Sequence, residues 1–281
     1  MEYINGDVKL NYEVLGEGTP VLLIHGFGCD MNIMKGCMEP VFKEVKGFKR
    51  FYIDILGMGN SNAPINKADS SEILSILISF IEDNISENFL LVGESYGGYL
   101  SLGILAKLYD KVENVLLICP MVKPIISKRI LPEKNYTEFD ENLLSNIRKV
   151  DNESDIDNFC HFAVIANEYT YTRFKNEILV GMKKVNKEFI EVLSKNYSFN
   201  FDLKEEFIIT NIQKPVLFLA GKQDNSVGYE DLYDMANYLP RSSFYLVDKA
   251  GHNLQIDQED IFSDITKRWL VDSRRTNERK Y

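Results

Sequence analysis

Ten residues about a third of the way along the chain, Phe89-Leu90-Leu91-Val92-Gly93-Glu94-Ser95-Tyr96-Gly97-Gly98, leave few folds open. The apolar run at their start suits a short strand buried on both faces, and the segment after Gly98 has the pattern of a helix. Between them lies Gly93-x-Ser95-x-Gly97, which fits a tight strand-to-helix turn where a side chain at either flanking position would clash. Such a turn lifts the Ser95 hydroxyl clear of the sheet and points the next amides into the same space. The motif alone recurs by chance, so its weight depends on what the remaining residues provide.

The remaining residues repeat the strand–helix alternation. Tyr3–Ile4 and Lys9–Val14 flank the turn signal Asn5-Gly6-Asp7 and predict an opening antiparallel pair. Val21–Ile24 reads as a strand buried in a parallel sheet and ends in His25-Gly26-Phe27-Gly28; a helix follows from about Met31 to Lys46. Phe51–Ile53 is the next strand, ending at Asp54 and the loop Gly57-Met58-Gly59-Asn60-Ser61. Asp69-x-x-Glu72 reads as a capping box that opens a helix to about Ile85. After the Ser95 unit come the strand Val115–Ile118, the strand Pro215–Ala220, a helix near Tyr229–Tyr238, the strand Phe244–Val247 and a helix from about Gln258 to Val271. This order predicts an α/β class with a mostly parallel sheet and helices on both faces. From Met121 to Phe207 the alternation stops: no strand-like run appears, and the pattern is helical, charged and rich in aromatics. The expected organisation is a core of residues 1–120 and 208–281 with a helical cap inserted over 121–207.

Charge and cysteine usage narrow the function classes. A net charge of −10 over 281 residues, with the basic residues scattered, argues against a nucleic-acid partner. The basic tail Arg274–Lys280 reads as a solvated end. Cys29, Cys37, Cys119 and Cys160 show no paired spacing and lie in or beside apolar stretches, which points to buried reduced thiols and a cytoplasmic setting. No leader-like N-terminus is visible, and no apolar run approaches the roughly 20 residues of a membrane helix. No membrane association is expected.

Serine is a weak nucleophile at its free pKa, so Ser95 needs a base. The chain has three histidines, His25, His161 and His252. His252, in Ala250-Gly251-His252-Asn253, lies just past a strand end and can reach over the sheet. Asp224 also follows a strand, and a carboxylate there can hold the imidazole in one tautomer and stabilise the imidazolium. Loops at the carboxyl ends of parallel strands share one face, so Ser95, Asp224 and His252 are expected together, in that chain order. The backbone amides of Phe27 and Tyr96 are candidates for an oxyanion hole. His25 is read as a satisfied loop histidine and His161 as part of the pocket wall or of the cap core. The histidines stand apart and without paired cysteines, so neither a metal nor a cofactor is expected.

These residues carry a resemblance. Across nearly its whole length the chain resembles α/β-hydrolase-fold enzymes with an inserted cap. The resemblance rests on His25-Gly26-Phe27-Gly28, Asp54-x-x-Gly57-x-Gly59-x-Ser61, Gly93-Glu94-Ser95-Tyr96-Gly97-Gly98, Gly221-Lys222-Gln223-Asp224-x-x-Val227 and Gly251-His252. It implies a catalytic triad of Ser95 as nucleophile, Asp224 as acid and His252 as base. It also implies oxyanion amides at Phe27 and Tyr96, a pocket-lining Val227, and a cap that covers the site and selects the substrate. Dehalogenases and epoxide hydrolases of this fold use an aspartate nucleophile, where this chain has Ser95. Prolyl aminopeptidases usually carry a glycine–proline motif at the oxyanion loop, where this chain has Gly26-Phe27-Gly28. The expectation is a serine esterase, cleaving an ester or related acyl bond of a small to medium apolar substrate through an acyl-enzyme. Carbon–carbon bond hydrolysis and a slow-turnover small-molecule receptor on the same fold remain the alternatives.

Overall fold

The computed structural model describes residues 1–132 and 136–278; residues 279–281, the end of the basic tail, and 133–135, within the expected cap, lie outside the described residues. The opening hairpin is β1 (Glu2–Asn5) and β2 (Val8–Leu15), antiparallel around Gly6, whose positive φ a turn of this kind requires. The sheet continues with β3 (Thr19–Ile24), β4 (Phe48–Ile53), β5 (Phe89–Glu94) and β6 (Val112–Ile118). Helices α1 (Asn32–Glu44), α2 (Ser70–Asn84) and α3 (Ser95–Lys107) connect them. Asp69 caps α2 as expected, accepting the Ser71 and Glu72 amides. The Glu72 carboxylate, however, pairs with Lys67 at 2.8 Å, so the reciprocal half of the capping box goes unused.

Between β6 and the next long strand the chain forms α4 (Glu141–Ile147), α5 (Glu153–Phe162), α6 (Glu168–Phe174), a π-helical turn (Lys175–Leu179), a further turn α7 (Val180–Met182), α8 (Lys187–Lys195) and α9 (Leu203–Thr210). Contrary to the expectation of no strand here, Glu138–Phe139 (β7) and Ile165–Ala166 (β8) make a short parallel pair. Two residues each, with Glu138 and Phe139 exposed, leave no apolar run to read. The α/β alternation resumes with β9 (Val216–Gly221), α10 (Glu230–Ala236), β10 (Ser242–Val247), the single turn α11 (Leu254–Asp257) and α12 (Glu259–Glu278).

The eight-stranded sheet has the order β1-β2-β4-β3-β5-β6-β9-β10, parallel from β4 onward. Alternate residues of the central strands feed two cores. Leu22, Ile24, Leu91, Leu117 and Phe218 face α2 and α3; Val21, Leu23, Leu90, Val92, Leu116 and Leu219 face α1 and α12. Burial of each such side chain contributes about 1.5–3 kcal/mol. Strand order reverses between β3 and β5, and a crevice outside the carboxyl ends of the strands is where an open α/β sheet places a ligand. The loop that begins at His25 and the helix that begins at Ser95 leave the sheet at this crevice.

Candidate active site

Ser95 starts α3 directly after β5, with its backbone in the left-handed region at φ +50°. A non-glycine residue there costs of order 1–3 kcal/mol and persists only where its surroundings enforce it. The two glycines do so by close approach. A Cβ on Gly93 would stand 2.3 Å from Ser101 Oγ, and one on Gly97 would stand 2.2 Å from the Ile24 carbonyl oxygen. The Met121 amide, in the loop after β6, donates to the Ser95 carbonyl at 2.8 Å and fixes the turn from the other side.

The loop after β10 brings His252 over this turn. His252 Nε2 lies 2.9 Å from Ser95 Oγ, and Nδ1 lies 2.9 Å from Asp224 Oδ2 in the loop after β9. An ionised carboxylate only accepts, so Nδ1 carries the ring proton and Nε2 is left to accept from the serine hydroxyl. The buried Asp224 is itself fixed: its Oδ1 accepts the Ser226 amide at 2.8 Å and the Val227 amide at 3.0 Å. Val227 thereby lines the cavity and also holds the Asp224 carboxylate. The His252 loop is secured by Asp257, whose carboxylate accepts the Gly251, Val164 and Ile165 amides; burial nonetheless pushes the Asp257 pKa up to about 6. Burial works to lower the His252 pKa, but the adjacent Asp224 charge and hydrogen bond, with Glu94 beyond, outweigh it and the net shift is upward.

Phe27 sits in the loop after β3, and among the described residues its amide has no hydrogen-bond partner. The loop's path is set by His25, which is fully buried as a satisfied loop histidine. The Ile55 amide donates to its Nε2 at 2.9 Å, and Nδ1 donates to the Gly26 carbonyl at 2.7 Å. Burial lowers its pKa and keeps the ring neutral. The Tyr96 amide lies in the first turn of α3, where helical N–H groups have no intrahelical acceptor. The Phe27 ring packs edge-on against Tyr96 and Tyr197, and the latter two stack with centroids 4.6 Å apart. Ser70 Oγ bonds both the Tyr96 hydroxyl and the Tyr197 carbonyl at 2.9 Å, tying the segment after α8 to the core.

A cavity of about 930 Å³ opens above Ser95 and His252. Its walls are mostly apolar, with Met121, Ile125, Phe162, Ile178, Met182, Ile190 and Val227 among them. His161 does not: it is exposed, its ring packs on Phe162, and its carbonyl accepts from Asn225 Nδ2. The buried stripe of α5 runs through Ile156 and Phe159, and position 161 falls off it.

Sequence reasoning assigned no role to three further residues of the cavity, Glu94, Arg129 and Tyr197. Glu94 is the last residue of β5. Its Oε1 lies 3.8 Å from His252 Nε2, its Oε2 has no hydrogen-bond partner among the described residues, and the nearby Gly26 amide favours its charge weakly. Burial, opposed by His252 and reinforced by Asp224, pushes its pKa up to about 7. An acidic residue within an otherwise apolar and glycine-rich motif was the available signal. Among the described residues, no group of three or more His, Cys, Asp or Glu is arranged to hold a metal ion. All four cysteines are free thiols, and no described helix is long and apolar enough to cross a membrane.

The chain is similar over 269 residues to the 2-hydroxy-6-oxo-6-(2'-aminophenyl)hexa-2,4-dienoic acid hydrolase of Metapseudomonas resinovorans, at 24% identity, covering 94% of this chain and 88% of that protein. Its fold matches the crystal structure of an alpha/beta superfamily hydrolase from Oenococcus oeni PSU-1 with a TM-score of 0.87 and 33% identity, covering 98% and 99% of the two chains. It also matches the fold of an esterase from Exiguobacterium antarcticum, with a TM-score of 0.70 and 20% identity, covering 94% and 96%. A family model described as alpha/beta hydrolase fold matches residues 19–259, and the chain belongs to that family.

Proposed function

We propose that this protein is a serine hydrolase that cleaves an ester or related acyl bond of a small to medium, largely apolar substrate. The observation that carries the reading is the line of hydrogen bonds from Asp224 through His252 to Ser95, at 2.9 Å each, at the floor of an apolar cavity. Ser95 Oγ attacks the substrate carbonyl as its proton passes to His252 Nε2, and Asp224 stabilises the imidazolium that forms. The Phe27 and Tyr96 amides hold the developing oxyanion, each such donor being worth about 10²–10³ in rate. His252 returns the proton to the leaving group, then deprotonates a water that releases the acyl group and restores the serine. No metal or cofactor enters the scheme.

We assign residues 121–207 as the cap. Ile178, Met182, Val185 and Ile190 from this segment form one wall of the cavity, which supports a role in substrate choice. A second reading, carbon–carbon bond hydrolysis, draws support from the similarity to a hydrolase of a 2-hydroxy-6-oxo dienoic acid, whose name contains no ester. Turnover of p-nitrophenyl esters from acetyl to long acyl chains, beside Ser95→Ala, separates the two. The esterase reading expects a maximum at one chain length that vanishes in Ser95→Ala. Wild type as inactive as Ser95→Ala on the whole series would favour carbon–carbon hydrolysis, or a receptor that binds without turnover.

A further inference from the structure

Arg129 lines the cavity, yet among the described residues its guanidinium pairs with no carboxylate. Its hydrogen bonds go to backbone carbonyls: Nε to Lys123 at 2.8 Å, Nη1 to Ser226 at 2.8 Å and Nη2, weakly, to Pro124 at 3.4 Å. Nearby acids are committed elsewhere. Asp231 gives one oxygen to Lys123 Nζ at 2.5 Å and the other to the Ile130 amide at 2.8 Å. Asp224 is engaged by His252 and two amides. The other cation lining the cavity, Lys195, pairs with Glu191 on the exposed rim. Among the described residues Arg129 is thus a half-buried cation with no carboxylate paired directly to it, in a mostly apolar chamber. Burial pulls its pKa down while Tyr197, Asp224 and Asp231 pull it up, and a guanidinium stays charged throughout.

Desolvating a charge without a partner is costly, and a fork with an uncommitted N–H on each of Nη1 and Nη2 suits the two oxygens of a carboxylate. The three carbonyl contacts hold that fork still. Ser226, whose carbonyl holds Nη1, is also the residue whose amide holds the Asp224 carboxylate, so the cation is fixed to the same loop as the acid of the site.

We propose that Arg129 docks a carboxylate carried by the substrate, so that the preferred substrates are monoanionic half-esters whose free carboxylate lies away from the bond attacked by Ser95. This rests on the acyl-hydrolase reading for the bond that is broken, whereas the anion site itself can be tested without turnover. The apolar walls take the chain between the two ends.

Two measurements on the full-length protein test it. In the first, hexanoate, hexanamide and hexyl phosphate are titrated calorimetrically into Ser95→Ala protein with Arg129 intact, with Arg129→Gln and with Arg129→Lys. Hexanoate should bind at least about tenfold more tightly than hexanamide when Arg129 is present. That preference should be lost in Arg129→Gln, partly kept in Arg129→Lys, and weakened by salt in the Arg129 protein. Equal preference with and without Arg129 overturns the proposal, and hexyl phosphate binding more tightly than hexanoate would overturn the choice of carboxylate. Should Arg129→Gln unfold, the lysine variant and the salt dependence still decide. In the second, the ratio of kcat/KM for p-nitrophenyl hemisuccinate to that for p-nitrophenyl butyrate should fall about tenfold or more from wild type to Arg129→Gln and by less in Arg129→Lys; an unchanged ratio in Arg129→Gln counts against Arg129. Turnover of neither ester, with the hexanoate preference intact, would sink the acyl-hydrolase reading and leave the Arg129 assignment standing.

Discussion

Glu94→Gln replaces a buried carboxyl that is almost fully enclosed, at 2% exposure, and half unpartnered. Folding raises its pKa from an ordinary 4.5 to about 7. Between those values the folded chain holds a proton that the unfolded chain has released, so stability is lost as pH rises through the window. At about 1.4 kcal/mol per pH unit the full loss is on the order of 3 kcal/mol, most of it between pH 5 and pH 8.5. Glutamine does not titrate. Urea unfolding of wild type and Glu94→Gln at pH 5 and pH 8.5 should therefore show the variant gaining on the order of 2–3 kcal/mol on wild type as pH rises. A constant cost of the amide, with donors that find no partner, enters equally at both pH values and cancels. The raised pKa of Asp257 is common to both proteins and cancels as well. A difference between variant and wild type that is the same at pH 5 and pH 8.5 would refute the claim that the fold holds Glu94 against ionisation.

Asp224→Asn should lower kcat on the order of 10⁴-fold, because the amide no longer stabilises the imidazolium or selects the tautomer. In wild type the acid limb of kcat/KM should lie above the ordinary histidine range, since Asp224 raises the His252 pKa. In the residual activity of Asp224→Asn that limb should move to lower pH; a limb that stays in place would separate His252 from the proton transfer. Gly97→Ala places a Cβ 2.2 Å from the Ile24 carbonyl and 2.5 Å from that of His25. Alanine would normally gain about 1 kcal/mol inside a helix, so a net loss of about 3 kcal/mol in urea unfolding tests the close approach of α3 to β3.

How far the site could be read from residues alone depended on the range of each signal. Local patterns carried the core. Continuous apolar runs marked β3, β5, β6 and β9, and the glycines of the Ser95 turn announced a backbone approach that the structure bears out at Gly93 and Gly97. Ser95, Asp224 and His252 could be grouped because parallel strands send their following loops to one face, which needs topology but no side-chain detail. The strands' first residues were less visible: β6 opens with Val112-Glu113-Asn114 and β4 with Phe48-Lys49-Arg50, polar positions that sheet pairing recruits. The last helix continues beyond Val271 on polar residues, with Ser273 buried and bonded to Asn114, where apolar periodicity had run out.

Features set by packing across long separations were not legible. Glu94 looked like a variable position of a short motif until the loop after β3 closed over it. Arg129 was one basic residue among many until the loop after β9 presented the Ser226 carbonyl to it. Tyr197 acquires its place only because Ser70, far earlier in the chain, accepts the fold-back of the segment after α8. His161 was expected inside the cap or its pocket wall, and a one-residue displacement from the buried stripe of α5 exposes it instead.

The central claim is that Ser95 becomes acylated. Mixing the enzyme with a p-nitrophenyl ester, quenching within the first turnover and measuring intact and peptide masses tests it directly. The account predicts a mass increase equal to one acyl group, located on the peptide that carries Ser95 and missing from Ser95→Ala. Multiple turnovers with no adduct on that peptide, and hydrolysis that persists in Ser95→Ala, would contradict it.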